Sequence, residues 1–190
     1  MEDVSWAEHR ARELLSPLGA RWVHSKAVGE KAATLATRLA VPDGDVLVAA
    51  AYLHDIGYAP VLAIEGFHPL DGGVYLRNVG QDRLATLVAH HGGAAEEALV
   101  RDLSDALRQF RREDSDIARI LDYCDLTVGP NGEDMTPQER LADVESRYGP
   151  DHVVTRSLRS AWPRLEEELT AVGRMLSASA QPSRAGSGVA

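Results

Sequence analysis

The stretch from Val46 to Leu53 (Val-Leu-Val-Ala-Ala-Ala-Tyr-Leu) constrains this chain more than any other, because it carries no charge and has no polar face. A helix that is apolar all round has to be enclosed by other elements. The rest of the sequence supplies them. Apolar residues recur at three- and four-residue steps almost throughout, and no series of short alternating runs joined by hairpin turn pairs occurs. The expected fold class is all-α, a helical bundle around a central helix over Val46 to Ile56.

The punctuation of the chain sets the other helices. A first helix from about Val4, with Val4, Ala7, Ala11, Leu14 and Leu15 on one face, stops near Ser16-Pro17, since the residue before a proline is biased away from helix. A longer helix follows from Ala20 to Ala40, and Gly57 reads as the stop of the central helix. Shorter helices are expected over Pro69 to Asn78 and Gln81 to His91. A weakly amphipathic segment spans Ala95 to Phe110, and another helix begins near Ile117. Thr136-Pro137-Gln138-Glu139 is a capping-box signature that opens a helix to Tyr148. A last helix carries Val154, Leu158, Ala161, Leu165, Leu169, Val172 and Leu176 on one face, with Pro163 as a kink. The organisation expected is one domain over residues 1–176 and an irregular, disordered tail over 177–190 rich in Ser, Ala and Gly.

Charge and cysteine content narrow the function classes. With 20 basic and 29 acidic residues the formal charge is -9, and no basic run is present, which argues against nucleic acid as a partner. No stretch has the roughly 20 apolar residues of a membrane span. The single cysteine, Cys124, allows no internal disulfide and no thiolate cluster, and together with an N-terminus unlike a secretory signal it points to the cytoplasm.

Chemistry is suggested where ionisable groups fall on apolar faces. His54 and Asp55 close the most apolar helix, and burying an ionised aspartate beside a histidine costs several kcal/mol unless a cation or strong donors compensate. Asp125 follows Ala118 and Leu121 on the inner side of its helix. His24 shares a face with Val28, Lys31 and Leu35. His9 and His152 lie in polar surroundings and read as surface residues, and Cys124 reads as packing.

The strings Trp22-Val-His24-Ser-Lys-Ala-Val28, Ala51-Tyr-Leu-His54-Asp55-Ile-Gly57 and Leu121-Asp-Tyr-Cys-Asp125 resemble the HD-domain superfamily of metal-dependent phosphohydrolases. The resemblance runs over about residues 20–148. It implies an HD-type helical bundle in which His24, His54, Asp55 and Asp125 bind a metal. Phe67-His68-Pro69 and Val88-Ala89-His90-His91-Gly92 resemble the extra histidine segments of the two-metal branches. They imply a second metal on His68 and His90, with Asp55 bridging. For the adjacent pair, periodicity places His91 on the stripe with Leu84, Leu87 and Val88, whereas the resemblance favours His90. His90 is therefore taken as the ligand and His91 as an alternative ligand or a substrate contact.

Such a nitrogen and oxygen set suits Fe, Mn, Co, Ni or Zn better than magnesium. The reaction implied is hydrolysis of a phosphomonoester or phosphodiester of a nucleotide or small phosphorylated metabolite by a hydroxide bridging two metals. Asp55 would accept its proton, and Lys31, Lys26 and Arg77 are the candidate phosphate contacts, Lys31 first. Cyclic dinucleotide phosphodiesterases of the HD-GYP type are a poor match, since Tyr58 and Gly92-Gly93-Ala94 stand where they carry lysine and Gly-Tyr-Pro. The competing expectation is a di-iron oxygenase of the same superfamily, and behind it a regulatory module without catalysis.

Overall fold

A computed structural model of the chain describes residues 3–180. Among them are ten α-helices and no strand; an isolated antiparallel bridge joins Val128 to Asp134. No helix among them is long and apolar enough to cross a membrane.

Helix α1 (Val4–Leu15) opens on Asp3, whose carboxylate accepts from the Ser5 and Trp6 N–H groups, and Ser16–Leu18 form a 3-10 turn. Helix α2 (Ala20–Arg38) packs on α3 (Gly44–Leu53), the central helix, where every residue from Val46 to Leu53 is buried. At Gly29 the Tyr52 ring of α3 lies flat against the α2 backbone, where a Cβ would come within 2.6 Å of it. Helices α1, α5 (Asp82–His90) and α8 (Asp116–Leu126) also pack on α3.

The central helix ends three residues earlier than its sequence predicts. It stops at Leu53, and Ile56–Tyr58 form a separate 3-10 turn, with Asp55 between them at φ -96°, ψ 3°. Gly57 is not the helix stop. A Cβ there would sit 2.0 Å from the His68 carbonyl and 2.7 Å from the Gly72 nitrogen, so the glycine lets helix α4 (His68–Asn78) press against this turn. The shift re-aims His54 and Asp55, which a continuous helix would have pointed about 100° apart.

The weakly amphipathic segment Ala95 to Phe110 forms two short helices, α6 (Ala94–Val100) and α7 (Ser104–Leu107), separated by Asp102 at φ +60°. Helix α9 (Pro137–Tyr148) opens on the complete Thr136–Glu139 capping box. Helix α10 (Val153–Ser179) continues across Pro163 and packs on α6, α8 and α9. Its apolar face joins Leu126 and Val144 in a second core cluster with Leu158, Ala161, Leu165 and Leu169. The irregular tail expected from Ser177 thus begins inside α10, and residues 181–190 lie outside the described part of the chain.

Candidate metal centre

Five elements around α3 deliver ionisable side chains to one point. His24 comes from the inner face of α2, His54 caps α3, and Asp55 follows in the turn. His68 begins α4, His91 caps α5, and Asp125 lies in the last turn of α8. The approach to His68 is fixed by buried Asp71, whose two carboxylate oxygens accept from the Glu65 and Phe67 N–H groups at 2.9 and 3.1 Å. Two overlapping groups result: His24, His54 and Asp55, and Asp55, His68 and His91. Within each group one ligand atom per residue lies within 4.8 Å of the others.

Backbone carbonyls set the tautomers. The Nδ1–H groups of His24, His54 and His91 donate to the carbonyls of Gly129 (3.1 Å), Ala51 (2.8 Å) and Val88 (2.6 Å). In each neutral ring the Nε2 lone pair therefore faces the interior, which is how histidine ligands are held. His24 Nε2 lies 3.1 Å from Asp125 Oδ1, and His68 Nε2 lies 3.3 Å from His91 Nε2. His54 Nε2 is fully buried with no hydrogen-bond partner, 3.6 Å from Asp55 Oδ1 and 3.8 Å from Asp125 Oδ1. Converging lone pairs and carboxylates repel one another, and an orphaned buried nitrogen is costly. A cation held between them removes both penalties, so the residues present fit a metal.

The electrostatics agree with that geometry. Burial holds His54 and His68 below the ordinary imidazole range despite the carboxylates beside them. Burial alone would push Asp55 up, but His54, Arg21 and His68 overcome it and hold the carboxyl far below its usual range. Asp125 is likewise held well below its usual range against its burial, by the His24 ring 3.1 Å away, His54 and Arg140. Both carboxylates stay ionised.

Basic groups surround the cluster. Arg21 Nη1 donates to Asp55 Oδ2 at 3.1 Å and Nη2 to the Tyr148 hydroxyl at 3.1 Å. Its guanidinium carbon lies 3.8 Å from the centroid of the Tyr58 ring, and His68 stacks on the same ring at 4.0 Å. Two planar groups that close to one centroid must occupy opposite faces, so Tyr58 is sandwiched between them. From α9, buried Arg140 brings Nη2 to 3.6 Å from Asp125 Oδ1, while Asp143 accepts from both Arg140 and Arg147.

A family model described as HD domain matches residues 21–128, more than half of the chain. The chain belongs to the HD domain family. No curated protein and no solved structure gives a significant match. The matched span of the HD domain contains all six residues of the cluster, from His24 to Asp125, and ends before α9.

Within this HD domain the structure brings five of the six expected ligands together and replaces the sixth. His24, His54, Asp55, His68 and Asp125 converge, and His91 stands where His90 was expected. His90, the last residue of α5, turns outward, and its Nε2–H donates to the Phe110 carbonyl at 2.7 Å. His91 follows one helical step later (φ -67°), on the buried stripe of Leu84, Leu87 and Val88, and its ring lies inward, 5.2 Å centroid to centroid from His54 and His68. Lys31 does not reach the centre, because its ammonium donates to the Thr127 carbonyl at 3.0 Å and to Asp134 at 2.7 Å. Lys26 pairs with Glu30, and Arg77 donates to the Gln109 carbonyl while covering the Phe110 ring.

The basic residues that do line the centre are Arg21, Arg140 and Arg147, none of them singled out from the sequence. Arg21 was within reach of helical periodicity, since it precedes His24 by three residues and so shares its face. Arg140 and Arg147 had no such signal. The cavity beside the cluster, about 90 Å³, is closed on its far side by α9 and α10 through Val144, Tyr148, Val154 and Leu158. The HD domain core thus supplies the groups that could hold a metal, and the helices after it supply the opposite wall.

Proposed function

We propose that this HD domain is a metal-dependent phosphohydrolase that cleaves a phosphomonoester or phosphodiester of a nucleotide or another small phosphorylated metabolite. The observation that carries the reading is the meeting of two ligand groups on one shared carboxylate, Asp55, at a cavity lined by three guanidiniums. His24, His54, Asp55 and Asp125 would hold one ion, and Asp55, His68 and His91 a second. Divalent Fe, Mn, Co, Ni or Zn held there would supply a polarised phosphoryl oxygen and a water acidic near neutral pH.

The chain's own groups do the rest. Arg140 and Arg147 present positive charge from the wall opposite the ligands, where guanidinium geometry matches phosphate oxygens. Arg21 pins Asp55 by one oxygen and leaves Oδ1 facing His54 and His68. With Oδ2 held by Arg21 and Oδ1 turned to His54 and His68, Asp55 serves in this reading as the shared ligand rather than as the proton acceptor. Tyr58 and Tyr148 hold Arg21 in place from two sides.

Purified protein is analysed for bound metal, then assayed for phosphate release from nucleotides and generic phosphoesters with Mn, Fe, Co, Ni or Zn added. Release that disappears in His54→Ala and Asp55→Ala is the expected result. Oxygen uptake by the iron-loaded protein without phosphate release would replace hydrolysis by oxygenase chemistry, and no bound metal under any condition would overturn both.

A further inference from the structure

Helix α8 carries two buried acids one turn apart, Asp122 and Asp125, and only the second belongs to the metal cluster. Asp122 does not line the cavity at the cluster. Its Oδ1 accepts from the Gly92 N–H at 2.6 Å, in a buried contact across 30 residues of sequence. A carboxyl group in an apolar helix face is costly to bury, so its presence asks for a role that leucine could not fill.

Gly92 is the residue that follows His91, and its φ of +59° makes the turn by which the chain leaves α5. The backbone that carries the His91 ring is held from its C-terminal side by that turn. Two contacts fix it: Asp122 takes the Gly92 N–H, and Arg164 of α10 donates to the Gly92 carbonyl at 3.1 Å. On the ring itself, Nδ1 is tied to the Val88 carbonyl. Asp125, three residues after Asp122 on the same helix, meets His24 Nε2 at 3.1 Å.

We infer that Asp122 is a positioning residue that ties the His91–Gly92 corner to helix α8 and thereby sets the separation of the two metal-binding groups. One rigid helix then fixes both ends of the centre: Asp125 anchors the His24 side directly, and Asp122 anchors the His91 side through the backbone. The inference rests on the two-metal reading above. Removing the anchor frees the corner, so the Asp55, His68 and His91 group loses affinity while the His24, His54 and Asp125 side keeps its geometry. Partners that orient metal ligands in this way are worth about 10- to 100-fold in affinity.

The test is calorimetric titration of the metal-free full chain with Mn(II), with metal content after dialysis measured on the same samples and folding checked by circular dichroism. Wild type should take up two ions. In Asp122→Ala the weaker binding event should fall by about 10- to 100-fold with the tighter one unchanged, and Asp122→Asn, which keeps an acceptor for the Gly92 N–H, should restore both. Should the alanine variant fail to fold, Asp122→Ser, too short to reach Gly92, gives the same readout. Two ions bound with wild-type affinities by a folded Asp122→Ala or Asp122→Ser would overturn the positioning role, as would equal loss at both events. Wild type binding one ion or none would instead overturn the two-metal reading on which it stands.

Discussion

Replacing Arg21 by methionine keeps the apolar stem and removes the charge that faces Asp55 at 3.1 Å. Taking one partner from a buried ion pair costs about 3–5 kcal/mol. The Arg21 side chain is 26% exposed and Asp55 only 5%, so water relieves part of the penalty and about 2 kcal/mol is expected for the metal-free protein. For a chain of this size that lowers the melting temperature by about 4–8 °C. With metal bound, the cation itself compensates Asp55, and the loss should shrink to about 1 kcal/mol or less. The thermodynamic cycle then requires Arg21→Met to bind metal about fivefold more tightly than wild type, because 1 kcal/mol less is lost in the bound state. The assay is thermal unfolding of both proteins, stripped with chelator and reloaded, together with metal titration. Equal drops in melting temperature with and without metal, or weaker metal binding by the variant, would refute the claim that Arg21 and the metal share the task of holding the Asp55 charge.

His91→Ala should lower the number of ions bound per chain and abolish phosphate release, whereas His90→Ala should leave the metal content at the wild-type value; the reverse pattern in elemental analysis would reject the assignment of the inward ring. Gly57→Ala should destabilise by more than about 2 kcal/mol and weaken metal binding, since its Cβ would meet the His68 carbonyl at 2.0 Å; chemical unfolding with an unchanged midpoint would contradict that packing. Burial pushes the Asp122 carboxyl up to about 8, so between the ordinary carboxylate value and that one the folded state holds a proton that the unfolded chain has released. Its contribution to stability is thus complete at low pH and is lost as pH rises toward 8, by up to about 1.4 kcal/mol per pH unit. Asp122→Asn removes that dependence, and parallel stability curves for the two metal-free proteins from pH 5 to 8 would show the reasoning to be wrong.

Much of the frame was legible in the sequence. The uncharged run Val46–Leu53 required enclosure, and it became the helix on which α1, α2, α5 and α8 pack. The capping box at Thr136, the start of α8 and the limits of α9 followed from local chemistry, because caps and turn residues act within three or four positions. His24, His54, Asp55, His68 and Asp125 stood out as ionisable groups on apolar faces or within matching strings.

What failed were inferences that extended local periodicity to long-range geometry. Lys31 shares the His24 face, but two helical turns carry it about 10 Å along the axis, where the Thr127 carbonyl and Asp134 take it up. For His90 and His91 periodicity was the better guide: it put His91 on the buried stripe of Leu84, Leu87 and Val88, and the resemblance pointed to its neighbour. Gly57 looked like a helix stop because a glycine after an apolar run usually is one, yet its cause is the His68 carbonyl pressed against it. Arg140 and Arg147 reach the cavity only because α9 folds back over the ligands. A sequence read alone states which face of each helix is apolar and where each helix begins and ends to within a turn. Which faces meet, and which ring of an adjacent pair points at the shared carboxylate, is decided by packing between residues as far apart as His24 and Asp125.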